Sequence, residues 1–231
     1  MEDAGRRLAV ATAAGAVCGL LVGGVGGRLA MLLLARLAPE TAGITSDDGF
    51  VIGQLTLSGT LNLLLVATLL GVLGSGFYFV LRTLMIGPRW FQVVSISLGP
   101  AVVVGAMLVH SDGVDFTFLR PTWLAIALFV AIPGLYAALL TVLCERWLRP
   151  DGRLLRARRR VVFPWLILWL PIAPVPLVLA LAWSLVVRAR KQVATRALVE
   201  HPAIPWLARL SLVVVFVFFL TELVGDIAIL T

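Results

Sequence analysis

Residues 55–81 read LTLSGTLNLLLVATLLGVLGSGFYFVL, 27 residues without a charged side chain. A hydrocarbon core of ~30 Å asks for ~20 helical residues, so this run is long enough to cross a bilayer as one helix. A strand of a membrane barrel would instead alternate polar and apolar residues over ~10 positions. Working outward, comparable runs occupy 8–37 (interrupted by Arg28 and Arg36), 90–109, 122–144, 161–187 and 210–230. The sequence therefore predicts an all-α fold: a polytopic transmembrane helical bundle of five to six membrane segments, one domain over 1–231.

Composition agrees. The chain is 61% hydrophobic and 13% charged, with a mean hydropathy of +1.04. A soluble domain is roughly 45–50% apolar and about 25% charged, and its surface grows too slowly with volume to hide such an excess. The implied solvent is the lipid bilayer. The net charge of +7 comes from 18 Arg and Lys191. With so much Ala, Val, Leu and Gly, that arginine bias suggests a GC-rich bacterial genome. The basic residues fall between apolar runs, where topology determinants sit, and this excludes nucleic acid as the expected partner. Cys18 and Cys144 lie inside apolar runs and imply no disulfide framework. Val17 stands where a small residue would precede a lipid-anchored cysteine, so Cys18 reads as a buried small hydrophobe. Arg6-Arg7 before an apolar run resembles a secretory leader, but the run is too long and 35–38 is a poor cleavage site; a retained first helix is expected.

Arginine placement sets the expected orientation. Arg6, Arg7, Arg82, Arg89 and the run from Arg146 to Arg160 flank alternate segments, whereas 38–54 has no basic residue and 110–121 has only Arg120. The positive-inside rule puts the N-terminus in the cytoplasm of a bacterial cell, and these two poor loops outside. Segment 161–187 breaks the pattern, because Arg188, Arg190, Lys191 and Arg196 follow it. Pro171, Pro174 and Pro176 should break its helix. A re-entrant hairpin, returning to the cytoplasmic side, obeys the charge rule; the rival is a single kinked crossing.

Gly15, Gly19, Gly23 and Gly27 repeat every four residues and share one helical stripe, and Ala67, Gly71 and Ser75 offer a matching one. In lipid, helices associate by close packing, which small residues permit. The plainer reading is contact between the first two helices; the sharper one is self-association. Gly23-Gly24-Val25-Gly26-Gly27 is no dinucleotide fingerprint, since Leu29 holds the third glycine position and no strand precedes it.

The loops holding Asp47 and Asp48, and Asp112 and Asp115, echo each other, with Glu40 and His110 nearby. Hard oxygen donors suit Ca²⁺ or Mg²⁺, so an outer metal site at these four aspartates is one reading. Ordinary Asp-Gly turns and helix caps are the other. The stretch Ser46-Asp-Asp-Gly-Phe50 through Gly59-Thr-Leu-Asn-Leu-Leu64, with Asp112-Gly-Val-Asp-Phe116, resembles an uncharacterised family of multispanning actinobacterial membrane proteins over residues 20–150. That resemblance implies a helical membrane bundle and carries over no activity, cofactor or site residue.

Polar groups inside membrane segments are functional candidates because burying them is expensive. Asn62 lies in 55–81, and Glu222 and Asp226 lie in 210–230 at i, i+4; together they suggest an ion or proton pathway or, more plainly, structural pairing. Catalysis finds little footing. His110 and His201 lack zinc-peptidase spacing, Gly74-Ser75-Gly76 is no nucleophile elbow, and no phosphate loop appears. No cofactor is implied. The first functional expectation is a non-enzymatic structural or accessory membrane protein acting through helix contacts, with itself or another membrane protein. A small-solute or cation permease is second and a membrane enzyme third.

Overall fold

The computed structural model of the chain describes residues 2–41, 43–45, 51, 54, 56–111, 113–172, 174 and 203–230. Among these residues it is an all-α bundle with five helices long and apolar enough to cross a membrane. The first of these is continuous in three parts: α1 (Glu2–Cys18), a π-helical stretch Gly19–Gly26, and α2 (Gly27–Leu37). Next come α3 (Leu57–Leu81) and α4 (Arg89–Leu108), then the short α5 (Val114–Phe118) and the long α6 (Thr122–Trp147). Two single turns, α7 (Arg153–Arg156) and α8 (Arg159–Val162), lead into a 3₁₀ helix, Phe163–Trp169; α9 (Ala203–Leu230) closes the described chain.

Each boundary has a local cause. Thr56 caps α3 by accepting the Gly59 N–H on its hydroxyl at 3.2 Å. Pro88 and Pro121 stand directly before α4 and α6 in extended backbone, where proline's missing donor costs nothing. The first segment begins at Glu2 rather than at residue 8, because its polar first turns stay helical against the loop after α6: an Arg6 guanidinium N–H donates to the Ala157 carbonyl. Pro100 in α4 and Pro133 in α6 lie inside their helices without ending them, as membrane helices tolerate when neighbours surround the freed carbonyls.

The helices gather into two buried clusters. Ala9, Val10, Ala14 and Cys18 of α1 meet Tyr78, Leu140 and Cys144 at one end; Leu34, Val109, Phe116 and Ile126 meet Leu223 at the other. In the best spanning window of the first helix, 61% of residues are buried inside the protein, against 6% for α9. The first helix is therefore the core of the bundle and α9 its periphery.

Segment 161–187 departs from a long helix. Its first part is the 3₁₀ helix Phe163–Trp169, with Pro164 in its first turn, and it docks on α1 and α3. Trp169 donates its indole N–H to the Thr12 hydroxyl at 2.9 Å. Residues 175–202, which include the rest of the proline-broken stretch, lie outside the described residues.

Candidate functional site

Gly15, Gly19, Gly71 and Ser75 meet at the crossing of α1 and α3. A Cβ on Gly15 would overlap the Gly71 carbonyl and come within 2.6 Å of the Ser75 Cβ; one on Gly19 would overlap the Ala67 carbonyl and come 2.9 Å from the Gly71 Cα. Backbone thus lies directly against backbone, and no side chain beyond hydrogen fits. Further along, the stripe departs from strict four-residue spacing. The π-helical turns Gly19–Gly26 are wider than α-helical ones, so the contact line slips from Gly23, where a Cβ would lie 3.2 Å from the Ala67 Cβ, onto Gly24, where one would lie 2.7 Å from Leu64 Cδ2. Gly27 is buried, but a Cβ on it would meet nothing within 4 Å among the described residues.

Helix α3 is notched on two further sides. Gly74 receives the Tyr136 ring of α6, whose hydroxyl donates to the Gly71 carbonyl at 2.6 Å. Gly76 receives the Trp169 ring, 2.7 Å from where a Cβ would sit. The Gly74-Ser75-Gly76 triplet is therefore a three-way packing joint. The buried Ser75 hydroxyl donates to its own helix at the Val72 carbonyl.

The polar candidates of the last helix separate. Asp226 turns toward the α4–α5 loop and accepts the Ser111 backbone N–H at 3.1 Å. Glu222, one turn earlier, is exposed and has no ion-pair partner among the described residues. The two carboxylates thus share neither an arginine nor a cavity, because α9 touches the bundle mainly through Leu223, with Phe219, Ile227 and Leu230 beside it. At its opposite end, Arg209 donates from Nε to the Leu84 carbonyl at 2.9 Å and lies over the Trp206 ring. Polar ties hold both ends of α9, and little holds the middle.

Asn62 is exposed on the outward face of α3, between the equally exposed Leu61 and Leu65. Asp47, Asp48 and Asp112 lie outside the described residues, and so does the side chain of Asp115 on α5. Among the described residues, no group of His, Cys, Asp or Glu is placed to hold a metal.

One polar cluster escapes a reading of the sequence. Glu145, near the end of α6, pairs with Arg82 at 3.0 Å and accepts the Tyr78 hydroxyl at 3.1 Å. Its signal in the chain is faint: a lone acid in a helix's last turns, followed by arginine, while Tyr78 and Arg82 are spaced i, i+4 on α3. Comparison of the chain with family models, with curated proteins and with solved structures finds no match.

Proposed function

We propose that this chain is a non-enzymatic structural or accessory protein of a bacterial cytoplasmic membrane, acting through lateral helix contacts with another copy of itself or with a different membrane protein. Its N-terminus faces the cytoplasm, following the arginine-rich loops. The observation that carries the reading is the open flank of α9. Ser211, Glu222 and Gly225 are all exposed there and fall on one stripe, and a Cβ on Gly225 would meet nothing within 4 Å among the described residues. A carboxylate facing hydrocarbon is expensive. Beside a small residue, it is the kind of feature that helix association in lipid relieves. A permease would need a polar path through the bundle; Glu222 and Asp226 sit instead on the perimeter helix, so helix contact is the reading they favour.

The test is native mass spectrometry of the chain released from its own membranes in polymer discs. A complex heavier than one 24.8 kDa chain is expected, and Glu222→Leu with Gly225→Leu should release the chain from it. A lone chain from native membranes, in wild type as in the variant, overturns the proposal.

A further inference from the structure

Helices α3, α4 and α6 converge at the arginine-rich end of the bundle around a cavity of about 430 Å³. Its lining carries Arg82, Arg89, Arg146 and Arg149, and among its described lining residues Glu145 is the single carboxylate. That carboxylate is already engaged by Arg82 and by the Tyr78 hydroxyl. Arg89, Arg146 and Arg149 have no carboxylate partner among the described residues. Three arginines without a carboxylate partner among the described residues therefore line one cavity. Such planar forks match the oxygens of a phosphate group two at a time.

The lining also has an apolar part, which includes Val93, Ile96 and Val142. From Val142 the α6 face continues through Ala138 and Ala131, which line an apolar groove of about 560 Å³ shared with α4 and α9. Steps of four and seven residues keep these three positions on one helical stripe. A charged lining with an apolar track beside it fits a molecule with a phosphate head and hydrocarbon tails better than it fits a free anion.

We propose that this cavity binds the phosphate of an anionic phospholipid headgroup, held by Arg89, Arg146 and Arg149, with acyl chain along the α6 stripe. Basic pockets between membrane helices take headgroups in this way. Glu145 then has a positioning role, because its pair with Arg82 keeps that guanidinium at the wall. The site is independent of the open flank of α9.

The test titrates the purified full chain in detergent with phosphatidylglycerol or phosphatidylcholine and counts bound lipid by native mass spectrometry. Phosphatidylglycerol is expected to bind at least about tenfold more tightly, and Arg146→Gln/Arg149→Gln to lower its affinity about twenty-five-fold, at roughly a fivefold loss per arginine. Arg158→Gln/Arg160→Gln removes the same charge from the same end, outside the cavity, and should change affinity less than about twofold. Arg89→Gln, on a different helix, must weaken binding in the same direction, so the result does not hang on one variant's folding. Equal loss in the pocket and control variants would assign the effect to diffuse surface charge and overturn the proposal. Equal affinity for phosphatidylcholine would overturn it too. Displacement of the lipid by inorganic phosphate, with equal thermal stabilisation by phosphate alone, would mean that the ligand is a free anion.

Discussion

Glycine has a different role at each position of the first helix, and the contrast can be measured. A Cβ at Gly71 meets the Gly15 carbonyl and lies 2.7 Å from the Gly19 Cα. Neither obstacle is the flexible end of a side chain, so the helices themselves would have to part. Overpacking of this kind costs about 1–3 kcal/mol, and Gly71→Val should lower stability by roughly that amount or more. Gly27→Ala meets nothing within 4 Å and replaces a poor helix former with the best one, a gain of up to about 1 kcal/mol. Unfolding of the detergent-solubilised chain, followed by circular dichroism, should lower the midpoint for Gly71→Val and leave it level or raised for Gly27→Ala. Equal effects at both positions would remove the α1–α3 crossing as the seat of close packing. From the spacing alone Gly27 is indistinguishable from Gly15 and Gly19, the glycines that Gly71 packs against. What separates them is the widened turn between Gly19 and Gly26, which depends on backbone hydrogen bonding and has no residue signature of its own.

At the scale of elements, α3 is the hub, touching α1 through Gly71 and Ser75, α6 through Gly74, and the 3₁₀ helix through Gly76. The last of these contacts holds a segment that cannot hold itself. A single 3₁₀ stretch has poor hydrogen-bond geometry, and Pro164 and Pro171 remove two donors from Phe163–Trp169 and its exit. Its anchors are the Trp169 ring on Gly76 and the Trp169–Thr12 hydrogen bond. Gly76→Leu should therefore free residues 163–172 while leaving α1 and α3 in contact. Hydrogen exchange read by mass spectrometry is expected to speed up across 163–172 and to stay unchanged across 8–20; unchanged exchange over 163–172 would mean that Trp169 is not the anchor. The five long helices are legible because lipid admits so few backbone solutions: a predominantly apolar run of about twenty residues has to satisfy its own donors as a helix. The joints between helices were half legible. The Gly15–Gly19 stripe reads from spacing, but Gly74, Gly76 and the Tyr78–Glu145–Arg82 cluster depend on which helix stands opposite, and helix order around a bundle is not written in any one helix. Asn62 and Glu222 were read as polar groups inside a membrane, yet the same chemistry serves an interior or a perimeter; only the packing of α3 and α9 puts both on the outside.

At the scale of the whole molecule, charge and connectivity agree on direction. Arg6 reaches the loop after α6 and Arg209 reaches Leu84 in the loop after α3, so the starts of α1, α4 and α9 and the ends of α3 and α6 share one end of the bundle. At the other end, Arg28 reaches the Gln54 carbonyl at 3.4 Å and Asp226 takes the Ser111 N–H. Helix α9 therefore runs from the arginine-rich end to the arginine-poor one. The 3₁₀ helix Phe163–Trp169 leaves from the same arginine-rich end, where Val162 packs with α1 and the end of α6. Residues 175–202 between these two points lie outside the described residues; the re-entrant reading of 161–187 expects them to make no net crossing, and a single kinked crossing expects one. The proposed orientation, with basic loops in the cytoplasm, predicts that the start of α9 faces inward and its end outward, with Glu222 toward the outer half of the bilayer. Single cysteines at Arg158, Ile204, Ser111 and Thr231, in a Cys18→Ala, Cys144→Ala background, test this in intact cells with a membrane-impermeant thiol reagent. Both native cysteines are buried, so small replacements should leave the fold in place. Labelling is expected at 111 and 231 and not at 158 and 204 until the cells are opened. Labelling at 158 and 204 but not at 111 and 231 would invert the whole bundle and move the arginine cavity to the outer leaflet. Labelling at 204 and 111 without 231 would mean that α9 runs the other way, and the ties of Arg209 to Leu84 and of Asp226 to Ser111 could not both exist.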